Sequence, residues 1–261
     1  MVKMECETSD KTVKLLPCLM LDVGERMLVA GAEVSRIEDM LQRLGHAYGI
    51  LHTNVFVITS SISVTLELAD GQLVTHARRI NRHTGNNLES RERIGRLMKQ
   101  VCEGNLSMEQ LWSELAELDK VKENPFEYPG SMLGAAGFTV FFGGNIKDAI
   151  VSAAFGIFIC FFQKKLSVWC LNQVVFNLTI SFLSGIGICL ITQEIPGFAA
   201  DKIMIGDIML LIPGLMATNA IRDILIGDTI SGVMRFIEAM LLAAVLALGF
   251  IGAIFLIGRI G

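Results

Sequence analysis

The sequence predicts an α-helical integral membrane domain of about five transmembrane helices, preceded by a small cytosolic α+β domain. Three observations predict it. Residues 1–128 carry 15 Lys/Arg and 19 Asp/Glu, whereas residues 129–261 carry only seven of each. The first half therefore has the charge density of a soluble domain and the second that of a membrane domain. The second half also holds apolar stretches close to the ~20 residues that cross a bilayer. The first half mixes helical spacing with strict alternation, the mark of helices and half-buried strands in one domain. The expected limits are 1–124 for the cytosolic domain, 125–130 for a linker and 131–261 for the membrane domain. The overall 52% hydrophobic content, near the ~45–50% of soluble domains, averages two unlike halves. A single soluble globule, a disordered chain and a disulfide scaffold are excluded. The acidic excess of the soluble half excludes a basic nucleic-acid binder.

In the soluble half, Leu15, Leu16, Leu19, Val23, Met27 and Ala30 recur at helical spacing, giving a helix over 15–30 that Gly31 ends. A second helix over 33–48 buries Val34, Ile37, Met40, Leu41 and Leu44, and Gly49 closes it. Residues 54–68 are rich in Val, Ile, Thr and Ser, and strict alternation from Ile62 to Leu68 predicts a half-buried strand. Asp70-Gly71 is a tight-turn dipeptide, with residues 72–80 returning as the partner strand. Helices over 88–103 and 108–120 follow, the second opened by a capping box of Ser107 and Gln110. Residues 120–129, with Pro125 and Pro129, read as linker.

The four histidines lie in this half; His76 and His83, beside Arg78, Arg79 and Arg82, form either a ligand site or the solvated basic edge of a hairpin. Six cysteines include no CxxC pair and three sit in apolar runs, where Cys acts as a small hydrophobe. No metal and no cofactor is expected. No phosphate loop or nucleophile elbow is present, and no catalytic constellation supports an enzyme. The first ten residues lack an apolar core, so no cleaved signal peptide is expected and the polar half stays in the cytoplasm.

Five spans are expected, at 131–144, 149–162, 168–192, 203–221 and 235–257. With the soluble domain inside, Lys164, Lys165, Arg222 and Arg235 also fall inside, while the outer loops keep Lys147 and Lys202, in accord with the positive-inside rule. The C-terminus, with Arg259, is then outside. In the third span, Gln173, Asn177, Ser181 and Ser184 share one face. Polar groups are costly against lipid, so that face meets other helices or a water-filled path.

Pro213-Gly214 interrupts the fourth span, where a proline removes a helix hydrogen bond. A broken helix at membrane depth exposes half-helix ends that can hold ions and carboxylates. Around it stand Asp207, Thr218, Asn219, Arg222 and Asp223. A proline kink with Arg222 and Asp223 as interface anchors is the plain alternative. The fifth span opens with Arg235 and Glu238, one turn apart and able to pair, and continues with small residues Ala239, Ala243 and Ala247 that admit a close helix.

The run Gly206-Asp207-Ile208-Met209-Leu210-Leu211-Ile212-Pro213-Gly214, followed by Thr218-Asn219-Ala220-Ile221-Arg222-Asp223, Gly227-Asp228, Ser231-Gly232 and Arg235-Phe236-Ile237-Glu238-Ala239, resembles the threonine/serine exporter family. Gly31-Ala32-Glu33-Val34-Ser35-Arg36-Ile37-Glu38 and Arg79-Ile80 resemble its cytosolic signature. An Asn-x-Leu-Ser-Arg sequence frequent in such chains is replaced here by Gly95-Arg96-Leu97-Met98-Lys99.

The resemblance implies a secondary exporter of small carboxylate-bearing metabolites in the plasma membrane, threonine or serine first, coupled to protons as an antiporter. With five spans instead of about ten, it implies the larger subunit of a split, oligomeric version, whose partner is a short all-membrane protein from an adjacent gene. Succinate export by the split type is the alternative. Pro213, Gly214, Thr218, Asn219, Arg222 and Asn177 are the expected substrate residues; Asp207, Asp223 and Glu238 are the expected proton carriers, and Arg235 a structural ion-pair residue. A membrane-anchored ligand sensor is the reading from another class.

Overall fold

The apolar stripe that starts at Leu16 forms a helix longer than its pattern: α1 spans Val2–Val29 and runs through Pro17. The computed structural model describes residues 2–68, 70–81, 85, 87–118, 125–166 and 172–258, with side chains from Leu15 onward except Leu166. The chain divides into two compact units. One comprises Met1–Val121 with Leu215–Phe236, the other Lys122–Gly214 with Ile237–Gly261.

In the first unit, α1 is followed by α2 (Val34–Ala47), the strands β1 (His52–Ile58), β2 (Ser61–Glu67) and β3 (Leu73–Arg79), and the helices α3 (Leu88–Cys102) and α4 (Met108–Leu118). The strands form an antiparallel meander in the order β1-β2-β3. On β2 the buried Ile62, Val64 and Leu66 alternate with half-exposed residues, as the sequence pattern requires. Their inner face joins Leu19 and Met27 of α1, Leu41 of α2, Ile94 of α3 and Leu111 of α4 in one core. Residues 54–68, expected to contain one strand from Ile62, form two. A two-residue turn at Thr59-Ser60 joins the paired Ile58 and Ser61. Neither Thr59 nor Ser60 has positive φ, and the turn carries no Gly or Asn of the kind that usually marks a hairpin. The expected turn at Asp70-Gly71 is present: Gly71 has φ +80°, and the Asp70 carboxylate accepts from the Gln72 N–H at 2.9 Å.

Polar contacts fasten the elements. Asn87 caps α3 through the Ser90 N–H at 2.9 Å. The Ser107–Gln110 capping box is made in both directions. Arg78, instead of lying on a solvated edge, bonds Asp22 and Glu25 of α1, while Trp112 donates to Asp22 at 3.0 Å. His76 is exposed. His83, Arg82, Val168 and Arg259 lie outside the described residues, as do positions 119–124, where the expected linker begins. The Val57 N–H donates to Glu38 of α2 at 2.9 Å. Burial pushes the Glu38 carboxyl above its ordinary 4.5; the Val57 bond opposes this and Asp228 adds to it.

The second unit contains α5 (Glu127–Phe141), α6 (Ile146–Leu166), α7 (Gln173–Glu194), α8 (Ala200–Leu211) and most of α10 (Thr229–Gly258). A turn at Gly143-Gly144 joins α5 to α6; Gly143 has φ +90°. The two helices pack closely at Gly156, where an added Cβ would stand 2.8 Å from the Ser131 carbonyl. α6, α7 and α10 are each long and apolar enough to cross a membrane. α8 and α9 (Gly214–Ile226) qualify together as a broken span or re-entrant pair, bent by 54°. By length and composition, the described residues thus hold three candidate spans, or four with the bent pair. α5, expected as a span over 131–144, has 15 residues, about 22 Å at 1.5 Å per residue against a ~30 Å hydrocarbon core. The chain is a mostly helical membrane protein with a small three-stranded sheet.

Candidate functional site

Proline decides the local geometry of the break. α8 ends at Leu211, Ile212 is extended, and α9 begins at Gly214. Pro213 has no N–H to continue the ladder; the Gly214 N–H turns back to the Ile212 carbonyl at 2.8 Å. Beyond the break, Asn219, Arg222 and Asp223 lie three and four residues apart and so share a face of α9.

That face binds the loop between α1 and α2. Asn219 Nδ2 donates to the Gly31 carbonyl at 3.2 Å, which also accepts from Arg91 of α3 at 3.0 Å. Arg222 Nη1 bonds Glu33 Oε1 at 2.8 Å. Arg235, at the start of α10, donates to Asp223 Oδ2 at 2.8 Å and to the Ala32 carbonyl at 2.9 Å. Its partner is thus Asp223, not Glu238 one turn along. Gly31 has φ +80° and ends α1, with its N–H on the Leu28 carbonyl and that of Ala32 on the Met27 carbonyl. This places three successive residues where α9 and α10 reach them. Gly232 supplies the last requirement: a Cβ there would stand 2.8 Å from the Ala220 carbonyl and from the Ile224 nitrogen, so only glycine lets α10 start this close to α9.

The two ion pairs differ in kind. Arg235 and Asp223 are 4% and 0% exposed, whereas Arg222 is 60% and Glu33 14% exposed. The first is a sealed pair and the second an open one.

The second unit holds another cluster. Asp207 is fully buried and accepts from Ser152 Oγ at 2.8 Å; its other oxygen has no partner among the described residues. A Cβ on Gly206 would lie 2.8 Å from the Ala135 carbonyl, 2.9 Å from Ser152 Oγ and closer still to Thr139 Oγ1. Glycine here lets α8 lie against α5 and α6 and bring Asp207 to Ser152. On α7, Asn177, Ser181 and Ser184 are buried while Gln173 is exposed. Ser181 bonds the carbonyls of Asn177 and Leu178 on its own helix and packs against Gly249 of α10. Ala239 is buried and Ala247 exposed, so the buried stripe of α10 turns through Leu242, Leu246 and Ala253 instead of along the expected alanines.

A family model described as "Putative threonine/serine exporter" matches residues 18–257. The chain belongs to that family. No curated protein and no solved structure matches the chain. Threonine/serine exporters are transporters, and membrane-spanning helices accord with that role. The runs at 31–38 and 206–239 that carry the resemblance both fall within the matched residues. In the first unit they touch: Gly31, Ala32 and Glu33 of one meet Asn219, Arg222 and Arg235 of the other.

Of the expected site residues, Asn219, Arg222, Asp223 and Arg235 come together in the first unit. Thr218 is exposed on the same helix, and Asn177, Asp207 and the half-buried Glu238 belong to the second unit. Sequence reasoning missed Glu33, Arg91, Ser152, Thr139 and Asp148. Asp148 is buried and accepts from the N–H groups of Asn145 and Ala199, tying the start of α6 to that of α8. Its signal was an acidic residue in a first helical turn, a position the helix dipole favours.

Proposed function

We propose that this chain is a subunit of a secondary transporter that exports threonine or serine across the plasma membrane, its soluble unit in the cytoplasm. The observation that carries the reading is the open guanidinium of Arg222 on the half-helix after Pro213, 60% exposed and one turn from Asn219. A guanidinium recognises a carboxylate bidentately, and the Asn219 amide can donate to and accept from a hydroxyl. Pro213 and Gly214 set α9 off as a half-helix, and Thr218 lies on it.

Proton coupling falls to Asp207. A fully buried carboxylate with a single hydrogen bond is costly to keep charged in an apolar surrounding, so taking up and giving off a proton is the change its site favours. Asp223, sealed against Arg235, holds the half-helix in place, and Glu238 is a second carrier. The short α5 and the bent α8–α9 pair complete five crossings. A short all-membrane subunit completes the exporter, as the split type of the family implies.

Proteoliposomes holding the chain, with and without the companion subunit, test this by efflux of labelled threonine, serine and succinate under a proton gradient. Threonine and serine efflux above that of protein-free liposomes is expected. Succinate efflux alone would replace the substrate assignment, and no transport by either preparation would overturn the reading.

A further inference from the structure

Glu33 occupies a position its residue type does not suit. It is the N-cap of α2, where Ser, Thr, Asp or Asn would satisfy a free N–H. Its side chain makes no capping bond. The carboxylate instead reaches Arg222 at 2.8 Å, across 189 residues of sequence. A residue that breaks a local rule marks a place where another requirement decides.

The pair it forms is built to exchange. One member stands open to solvent, so a ligand that supplies each charge with a new partner of opposite sign can take the place of the pair. Arg222 is the exposed member at 60%, and Glu33, at 14% exposed, the largely buried one. Below it the sealed Arg235–Asp223 pair and the bond from Arg235 to the Ala32 carbonyl hold the loop. Opening the Arg222–Glu33 pair therefore leaves the frame intact.

We infer that Glu33 is the residue that recognises the α-ammonium of the transported amino acid, with Arg222 holding its carboxylate. A zwitterion entering between the two gives each charge a new partner of opposite sign, one for one. Asn219 then faces the side-chain hydroxyl. A dicarboxylate satisfies Arg222 equally well but sets a second negative group against Glu33, and like charges in close contact repel. The site thus selects α-amino acids over dicarboxylates. This rests on the assignment of Arg222 to the substrate.

The test uses the full chain in proteoliposomes under the conditions in which the wild type exports. Efflux is compared for L-threonine, for 3-hydroxybutyrate, which keeps the carboxylate and hydroxyl but lacks the ammonium, and for succinate. In the wild type, threonine should lead. Glu33→Gln should lower threonine efflux about tenfold or more, the usual weight of one hydrogen bond to a charged group. Efflux of 3-hydroxybutyrate and succinate should hold or rise, and Glu33→Asp should restore part of the preference for threonine. Equal loss of all three compounds would make Glu33 a structural residue, and an unchanged threonine preference would remove it from the site; either overturns the inference while leaving the exporter reading in place. Wild-type efflux that Arg222→Ala leaves untouched overturns the substrate assignment, and the inference with it.

Discussion

The guanidinium of Arg235 is closed between the Asp223 carboxylate, at 2.8 Å, and the Ala32 carbonyl, at 2.9 Å. It joins the first turns of α10 to α9 and to the loop ahead of α2. Removing one member leaves a buried charge without a partner, which costs about 3–5 kcal/mol. Arg235→Met and Asp223→Leu should each lower the melting temperature of the detergent-solubilised protein sharply. The double variant should recover much of the loss, since an apolar pair of similar volume replaces a buried ion pair well. Additive losses would contradict this pairing.

Gly232 and Gly137 form a matched comparison. A Cβ at Gly232 meets the backbone of Ala220 and Ile224 at 2.8 Å, whereas one at Gly137 meets nothing within 4 Å. Gly232→Ala should cost about 1–3 kcal/mol through overpacking and reduce folded yield. Gly137→Ala should leave both unchanged. Thermal melting of the two variants beside the wild type decides it.

Glu38 gives the first unit a pH dependence whose sign follows from its burial. Burial holds its folded-state value above 4.5, so the folded chain binds this proton more tightly than the unfolded one. The stability it contributes is full below pH 4.5 and is lost as pH rises through the folded value. Glu38→Gln keeps an acceptor for the Val57 N–H and stays neutral. Its melting temperature should match the wild type in acid and exceed it at neutral pH, and a constant offset across the range would contradict the assignment.

Asp207→Asn keeps the shape and the acceptor for Ser152 but cannot exchange a proton. Threonine counterflow, which needs no net proton movement, should persist, while efflux should no longer respond to an imposed pH gradient. A response equal to the wild type would release Asp207 from coupling.

Much of the fold is legible in the sequence because its signals are local. The Leu16–Met27 stripe, the Ile62–Leu66 alternation, the Asp70-Gly71 turn and the Ser107 capping box each lie within a few residues. The Thr59-Ser60 turn was not legible, since it carries no glycine or asparagine. The partners of the candidate site were legible least. Asn219, Arg222 and Arg235 were marked by their place beside Pro213, but Gly31, Ala32 and Glu33 lie 188, 203 and 189 residues from the side chains that bond them. No periodicity spans such a separation. Arg235 next to Glu238 in sequence suggested a pair one turn apart, and burial decided for Asp223 instead.

The central claim is that the half-helix after Pro213 presents Arg222 to an exported amino acid, and Arg222→Ala in the efflux assay tests it most directly. The variant leaves the Glu33 carboxylate, 14% exposed, without its cation, which costs about 1–3 kcal/mol, so its melting temperature and membrane abundance are measured beside its efflux. Threonine efflux from proteoliposomes under a proton gradient should fall to the level of protein-free liposomes. Efflux equal to the wild type from a stable Arg222→Ala protein would contradict the account.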